Sequence, residues 1–401
     1  MKIRILAIAL LGLAAGAAQG QQAWTFGQVL QAALDSHPAM LGSRSAREAA
    51  RAEREGAEWQ RYPTPTIEAN TGDSGGGHGA ARIDQPLWTG GRITAGINAA
   101  ASRFDAATSA IDETRLDLTL RVVAAASEAL RQKARLRHAE SGVREHERLL
   151  GMIERRVAQE VSSQTDQRLA ESRLFQARNE LSLAKQSYGN ARLQLAQLAG
   201  RPVEDIAPAG MERLEAPPGQ DAALEQALAW SPTLRRLAHE EEAAGAEIDS
   251  RRSAYLPQLA LRLERTTGQF GDSRALLVLQ AQPGAGLSAR SGVEGAVARR
   301  EAAGLARETA RRDVAERIAL DWNEWMAARG RLENAEASRT MSTEVFESYT
   351  RQYVIGRKTW IDVLNAVREA TQAEFALEDA RAQAIAAGLR LRARTGTLDL
   401  G

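Results

Sequence analysis

Apolar residues in this chain follow two alternating rhythms. Over 352–391, Ala366, Ala370, Ala373, Leu377, Ala380, Ala384, Ala387 and Leu391 are spaced by fours and threes. That is a heptad seam, and it predicts a long helix whose small residues call for close approach to a neighbour. The seam also stands 196 residues earlier, in 156–195. There Ala170, Leu174, Ala177, Leu181 and Leu195 take the places of Ala366, Ala370, Ala373, Leu377 and Leu391, and Asp166 falls on Asp362. The pattern predicts a tandem duplication of one helical unit.

Shorter elements repeat at nearly the same offset. A short amphipathic helix over 24–36 stops at Ser36-His37-Pro38, and a second helix runs from about 38 to 60. Ala227 to Pro232 repeats Ala33 to Pro38 at an offset of 194. Proline cannot continue a helix but sits well in a first turn. The rhythm then changes to two. Ile67, Ala69 and Thr71 alternate with Glu68 and Asn70, and Leu259, Leu261 and Leu263 alternate with Ala260, Arg262 and Glu264. Each copy is therefore expected to hold a β-hairpin, at about 64–88 and about 257–282. An edge hairpin on a soluble domain or a barrel strand between lipid and water would both give this alternation. Proline-free helical stretches follow, at roughly 92–157 and 163–199, then at 287–352 and 359–395. At 1.5 Å per residue the longest make rods of about 100 Å. The expected organisation is a signal over 1–20, a first repeat over 21–205, a linker over 206–222 and a second repeat over 223–401.

Composition agrees with helical rods. Only 4% of the 401 residues are aromatic, as in long or coiled helices rather than a packed α/β enzyme. Lys and Arg number 52 against 51 Asp and Glu, which sets nucleic acid aside as a partner. The absence of cysteine excludes disulfides, thiol catalysis and cysteine-bound metal. Lys2 and Arg4, the apolar run Ile5 to Leu13 and Ala18-Gln19-Gly20 read as a cleavable secretory signal. Beyond it no apolar run is long enough for a transmembrane helix. An exported chain of this kind can still cross a membrane as a closed barrel.

No catalytic constellation appears. The glycine tract at 72–79 lacks the Gly-Lys-Ser/Thr of a phosphate loop, and His239 lacks a second histidine at zinc-protease spacing. His138 and His146 have no third ligand, and both are expected as exposed positions on a rod. The many Arg and Glu residues are expected as solvent-facing ion pairs. No enzyme and no cofactor is indicated.

The ordered motifs resemble the TolC family of outer-membrane channel proteins over nearly all of the mature chain. The resemblance rests on the doubled helix–proline starts at 33–38 and 227–232 and on Tyr62-Pro63 with Tyr255-Leu256-Pro257. It rests also on Gln85-Pro86-Leu87-Trp88-Thr89-Gly90-Gly91-Arg92 and on Tyr353 to Ala366. It implies a mainly α fold with a small β part. Long antiparallel coiled helices form an α-barrel in a homotrimer, and four strands per chain enter a shared twelve-stranded barrel in the outer-membrane lipid. The implied partners are a periplasmic adaptor (a membrane fusion protein) and an inner-membrane pump.

The resemblance also implies an entrance at the periplasmic tip. There a tyrosine and a basic residue of the second copy tie to an aspartate and a threonine of the first. The matching positions are Tyr353 and Lys358, with Asp166 and Thr165. Lys358 stands where the family has arginine, a point donor in place of a fork. Of the two acidic entrance positions, Asp362 keeps one and Asn365 makes the other neutral. One ring of three carboxylates should select cations more weakly than two. Asp166 and Asp362 would equally suit helix N-capping, and Tyr353 ordinary packing. Stretches 283–288 and 356–365 look more like the type I secretion branch, so the expected role is protein export, of adhesins among others, with an ATP-driven (ABC) exporter. Small-molecule efflux with a proton-driven pump is the alternative. A periplasmic coiled-coil adaptor is the alternative of another class, and the doubled hairpin-and-rod plan opposes it.

Overall fold

The computed structural model describes residues 23–71, 77–211, 219–267, 272–281, 284 and 288–398. The expected signal at 1–20, most of the glycine tract, the tip of the second hairpin and most of the 283–288 stretch lie outside the described residues.

Among the described residues, eight α-helices and four strands run in the order α1 (Phe26–Ser36), α2 (Pro38–Trp59), β1 (Thr64–Thr71), β2 (Gly77–Trp88), α3 (Arg92–Ala158), α4 (Gln164–Ala199), α5 (Gln220–Trp230), α6 (Pro232–Arg252), β3 (Gln258–Thr267), β4 (Ser273–Gln280), α7 (Ala289–Val354) and α8 (Trp360–Thr395). The second six repeat the first six. Helix breaks follow the sequence signals closely. His37 ends α1 and starts α2, its Nδ1 accepting from the Ala39 N–H at 3.1 Å, with Pro38 in the first turn. Ser231 and Pro232 do the same between α5 and α6.

The helices form four columns. α3 lies between α2 and α4 on one flank and α6 and α8 on the other, and α7 packs against α6 and α8. α2 and α4 thus share one column, as do α6 and α8. α1 and α5 plug equivalent places at mid-height. Phe26, Val29 and Leu30 of α1 join Val122 and Val123 of α3 and Leu195 of α4. Ala223 and Ala227 of α5 join Ile318 and Trp325 of α7 and Leu391 of α8. The alanine seam does what its size allows: Ala366, Ala373, Ala380, Ala384 and Ala387 are buried. At Gly388 the Trp325 indole packs on the helix, where an added Cβ would meet its Nε1 in ordinary contact at 3.5 Å.

The strands make one antiparallel sheet in the order β1-β2-β3-β4, so the two hairpins join through β2 and β3. Pro86 in β2 is tolerated because β1 pairing has ended by Asp84 and a bulge lies between Pro86 and Trp88.

Several expectations are corrected. His146 is buried, at 8% exposure, because it faces the groove between α4 and α8 rather than solvent. His138 lies between Glu374 and Glu378 of α8, with Nε2 3.4 Å from Glu378. Nor are all ion pairs at the surface: Asp321 of α7 is 8% exposed and takes Arg390 at 3.2 Å and Arg394 at 2.7 Å from α8. The linker is also more than a tether. Ile206 and Met211 are fully buried, and Trp24 forms a bridge with Ile206. Asp205 accepts from Lys133 and from the Tyr188 hydroxyl, both at 2.8 Å. Burial raises the Asp205 pKa, but these bonds and the Ile206 N–H outweigh it and leave the carboxyl below its usual range.

Candidate functional site

The sheet has two chemically distinct faces. Residues directly opposed across an antiparallel pair project to the same side. Ile67 opposes Ala81, Ile83 opposes Leu263, and Leu261 and Leu259 oppose Leu277 and Leu279. Ile67 is 85% exposed and Leu277 and Leu279 are each 68% exposed, so none of the described residues covers this face. On the other face a charged row crosses all four strands. Arg82 lies 3.8 Å from Glu68 and 3.9 Å from Glu264, and Arg274 lies 3.3 Å from Glu264. Asp84 and Arg262 pair beneath it at 2.6 Å. Where the strands meet the helices, Trp59, Tyr62, Trp88 and Tyr255 are exposed. Amphipathic aromatic rings at such a level suit a membrane interface.

The far end of the rods holds two equivalent turns. Ser163 and Thr359 cap α4 and α8, each accepting from the N–H of an aspartate three residues on, at 3.1 and 3.3 Å. Asp166 and Asp362 return the bond to the cap N–H at 3.3 and 3.0 Å. Both aspartates therefore sit in capping boxes. Each preceding helix ends with a residue in the left-handed region, Glu160 at φ 59° and Gly356 at φ 76°. The hydroxyl and then the backbone of Thr359, and to a smaller extent Lys358, hold the Asp362 carboxyl below its usual range. It is ionised at neutral pH.

The polar ties at this tip join Tyr353 and Asp166, which the sequence singled out, to Ser162 and Trp360, which it did not. Trp360 Nε1 donates to the Asp166 carbonyl at 3.1 Å and so joins the α7–α8 hairpin to the α3–α4 hairpin. The Tyr353 hydroxyl pairs with Ser162 Oγ at 3.2 Å, and Arg156 lies 4.8 Å over the Tyr353 ring. Lys358 Nζ sits 4.0 Å over the ring of Tyr349, in its own hairpin. Thr165 is exposed and Asn365 half-buried. Among the described residues of one chain, neither Tyr353 nor Lys358 bonds to Asp166 or Thr165. Beneath the ties Leu149, Ile153, Tyr353, Trp360 and Leu364 form one apolar cluster. Trp360 could have been found in the sequence as the lone aromatic just after a capping threonine.

Long paired helices that carry a sheet with one uncovered apolar face define a channel protein of the TolC type. The model of the Outer membrane efflux protein family matches residues 29–201 and again 223–397, and the chain belongs to this family of outer-membrane transport proteins, which are not enzymes. Solved structures share the fold. A membrane protein from Pseudomonas aeruginosa is 20% identical, with 92% of each chain covered and a TM-score of 0.81. The outer membrane protein VceC from Vibrio cholerae is 16% identical, over 92% of this chain and 96% of its own, at 0.79. The outer membrane channel MtrE from Neisseria gonorrhoeae, in its open state, is 19% identical over 93% and 89%, also at 0.79. No curated protein matches the chain. No described helix is long and apolar enough to cross a membrane.

Proposed function

We propose that three copies of this chain, exported by the signal at 1–20, close into one passive duct across the outer membrane and periplasm. The carrying observation is that the chain ends in two open edges at every level. β1 and β4 each have one unpaired side, which lipid cannot satisfy. α7 has a neighbour on one flank only. Its exposed Val297, Leu305, Leu320, Met326, Met341 and Val345, taken at 100° per residue, fall within about 140°. That stripe is opposite the buried Ala296, Ile318 and Trp325. On the other edge Phe175, Leu183 and Leu193 of α4 are likewise exposed opposite their buried seam. A head-to-tail contact of α7 on the α2–α4 column of the next copy covers both stripes and closes a ring. Twelve strands then share one barrel, with the apolar face on lipid and the charged row in the lumen.

The capped tips form the entrance in this reading. Three Asp362 carboxylates face the passage beside neutral Asn365. Trp360 and Tyr353 hold the hairpins together, with Asp166, Thr165 and Lys358 around the joint. The duct supplies no energy and needs a periplasmic adaptor and an inner-membrane pump. For cargo we favour polypeptide delivered by an ATP-driven exporter, on the likeness of 356–365 to that branch. Native mass measurement of the detergent-extracted protein tests the assembly, and a monomer soluble without detergent overturns it. Single-channel recording of Asp362→Asn tests the entrance: cation preference should fall. Deleting the gene separates cargo classes, since a lost secreted polypeptide supports protein export and heightened sensitivity to small toxic compounds supports efflux.

A further inference from the structure

One pocket plays no part in the duct. It lies where α4 and α8 converge over α3, and His146 of α3, Arg173 and Gln176 of α4, and Arg368 and Gln372 of α8 line it. The space open to small occupants is about 40 Å³, room for about three waters or one small ion. His146 Nδ1 is shut off from solvent and has no hydrogen-bond partner, an arrangement that costs stability unless something fills it. Arg173 spends one bond on Gln176 Oε1, at 2.8 Å. Neither Arg173 nor Arg368 has a carboxylate partner among the described residues. Their neighbours behave differently: Arg131 and Arg135 both pair with Asp379. Glu180 is the one carboxylate in the lining. Two unpaired guanidinium groups, two amides and an orphan imidazole nitrogen thus converge with positive charge to spare.

We propose that this pocket is a binding site for a small inorganic anion, a halide or a tetrahedral oxyanion, held by Arg173, Arg368 and the Nδ1–H of His146. Burial lowers the His146 pKa; Glu145 opposes it and Arg173, to a smaller extent, adds to it, so the ring is neutral at neutral pH and serves as a donor. The site joins two helices that scarcely touch directly. It lies roughly 20 Å from the tip turn, the rise of thirteen residues from 146 to 159. The ion fastens the α3–α4 hairpin to α8 and so ties the firmness of the entrance to anion concentration. Binding itself stands whether or not the chain conducts.

Thermal unfolding of the detergent-solubilised full-length protein tests the site. Chloride and phosphate are compared with gluconate, too bulky to enter, at equal ionic strength. The wild-type transition should rise by a few degrees in chloride or in phosphate, and the larger shift identifies the class of ion. Arg173→Gln/Arg368→Gln should lose that difference while still unfolding cooperatively, and a double variant that rises in parallel with wild type overturns the site. Should the double variant fail to fold, Arg368→Gln alone, at an exposed position, is read in the same way. His146→Leu tests the site independently of the arginines. Over an anion site it lowers the chloride transition and flattens the anion response. Over an unfilled pocket it removes an orphan nitrogen and raises the transition in every salt, which overturns the proposal.

Discussion

α3 and α7 are sister rods of 67 and 66 residues, yet α3 buries twenty-two residues and α7 only six. Their apolar content does not explain this. α3 has partners on both flanks, and α7 has partners on one. A duplicated unit placed beside itself covers its inner copy and leaves its outer copy half bare. The sheet repeats the lesson, since β2 and β3 are paired on both sides while β1 and β4 are not. In the proposed ring the half-bare rod is the assembly edge, because large apolar side chains in one stripe mark a surface to be covered.

The most damaging test of that contrast puts charge on the bare stripe. Leu320→Glu with Met341→Glu should abolish assembly, because each carboxylate would be buried without a partner at a cost of several kcal/mol. Native mass measurement reads the result. If the stripe faces water instead, the double variant stays within about 0.5 kcal/mol of wild type and keeps its oligomeric state.

Core truncation sharpens the contrast from the other side. Leu149 of α3 is fully buried beneath the tip, and Leu149→Ala should cost about 2–5 kcal/mol in denaturant unfolding. Leu305→Ala on α7 should leave the isolated protomer almost unchanged and weaken only the assembled form. Equal losses in both forms would mean that Leu305 is already covered within one chain.

A smaller effect separates the two tip turns. Glu160 holds the left-handed conformation that Gly356 holds in the second copy, and a side chain there costs about 1–2 kcal/mol. Glu160→Gly should stabilise the first turn by about 1 kcal/mol, and Gly356→Ala should destabilise the second by a similar amount. Thermal unfolding of each variant distinguishes the signs.

The duplication, the eight helices and the strand alternation were legible because each depends on residues near in sequence. Asp166 and Asp362 were read as capping candidates, but the caps themselves are Ser163 and Thr359, three residues earlier. The tip ties were not legible. The Trp360 bond to the Asp166 carbonyl spans 194 residues, and a backbone acceptor leaves no mark in the side-chain sequence. The same holds for Tyr353 and Ser162, which meet only because two hairpins lie side by side. The burial of His146 was missed for a related reason. α3 has neighbours on both flanks, so a polar residue on it can be enclosed by two helices that the heptad pattern treats separately.

That enclosed histidine supplies the weakest and most specific test of the inner rod against the outer. Burial lowers the His146 pKa from its ordinary 6.5, so in acid the unfolded chain takes up its proton before the folded one. The stability tied to the neutral ring is therefore complete above about pH 6.5 and is lost as pH falls toward the folded value. His146→Gln should flatten this part of the pH profile while leaving the profile above pH 7 unchanged. On α7 the buried carboxylate is Asp321, already joined to Arg390 and Arg394, so Asp321→Asn should cost stability across neutral pH. Measured in gluconate, so that no small anion sits at the ring, a wild-type profile flat from pH 7 to 5 would mean that His146 is open to solvent, and the two rods would then differ in coverage alone.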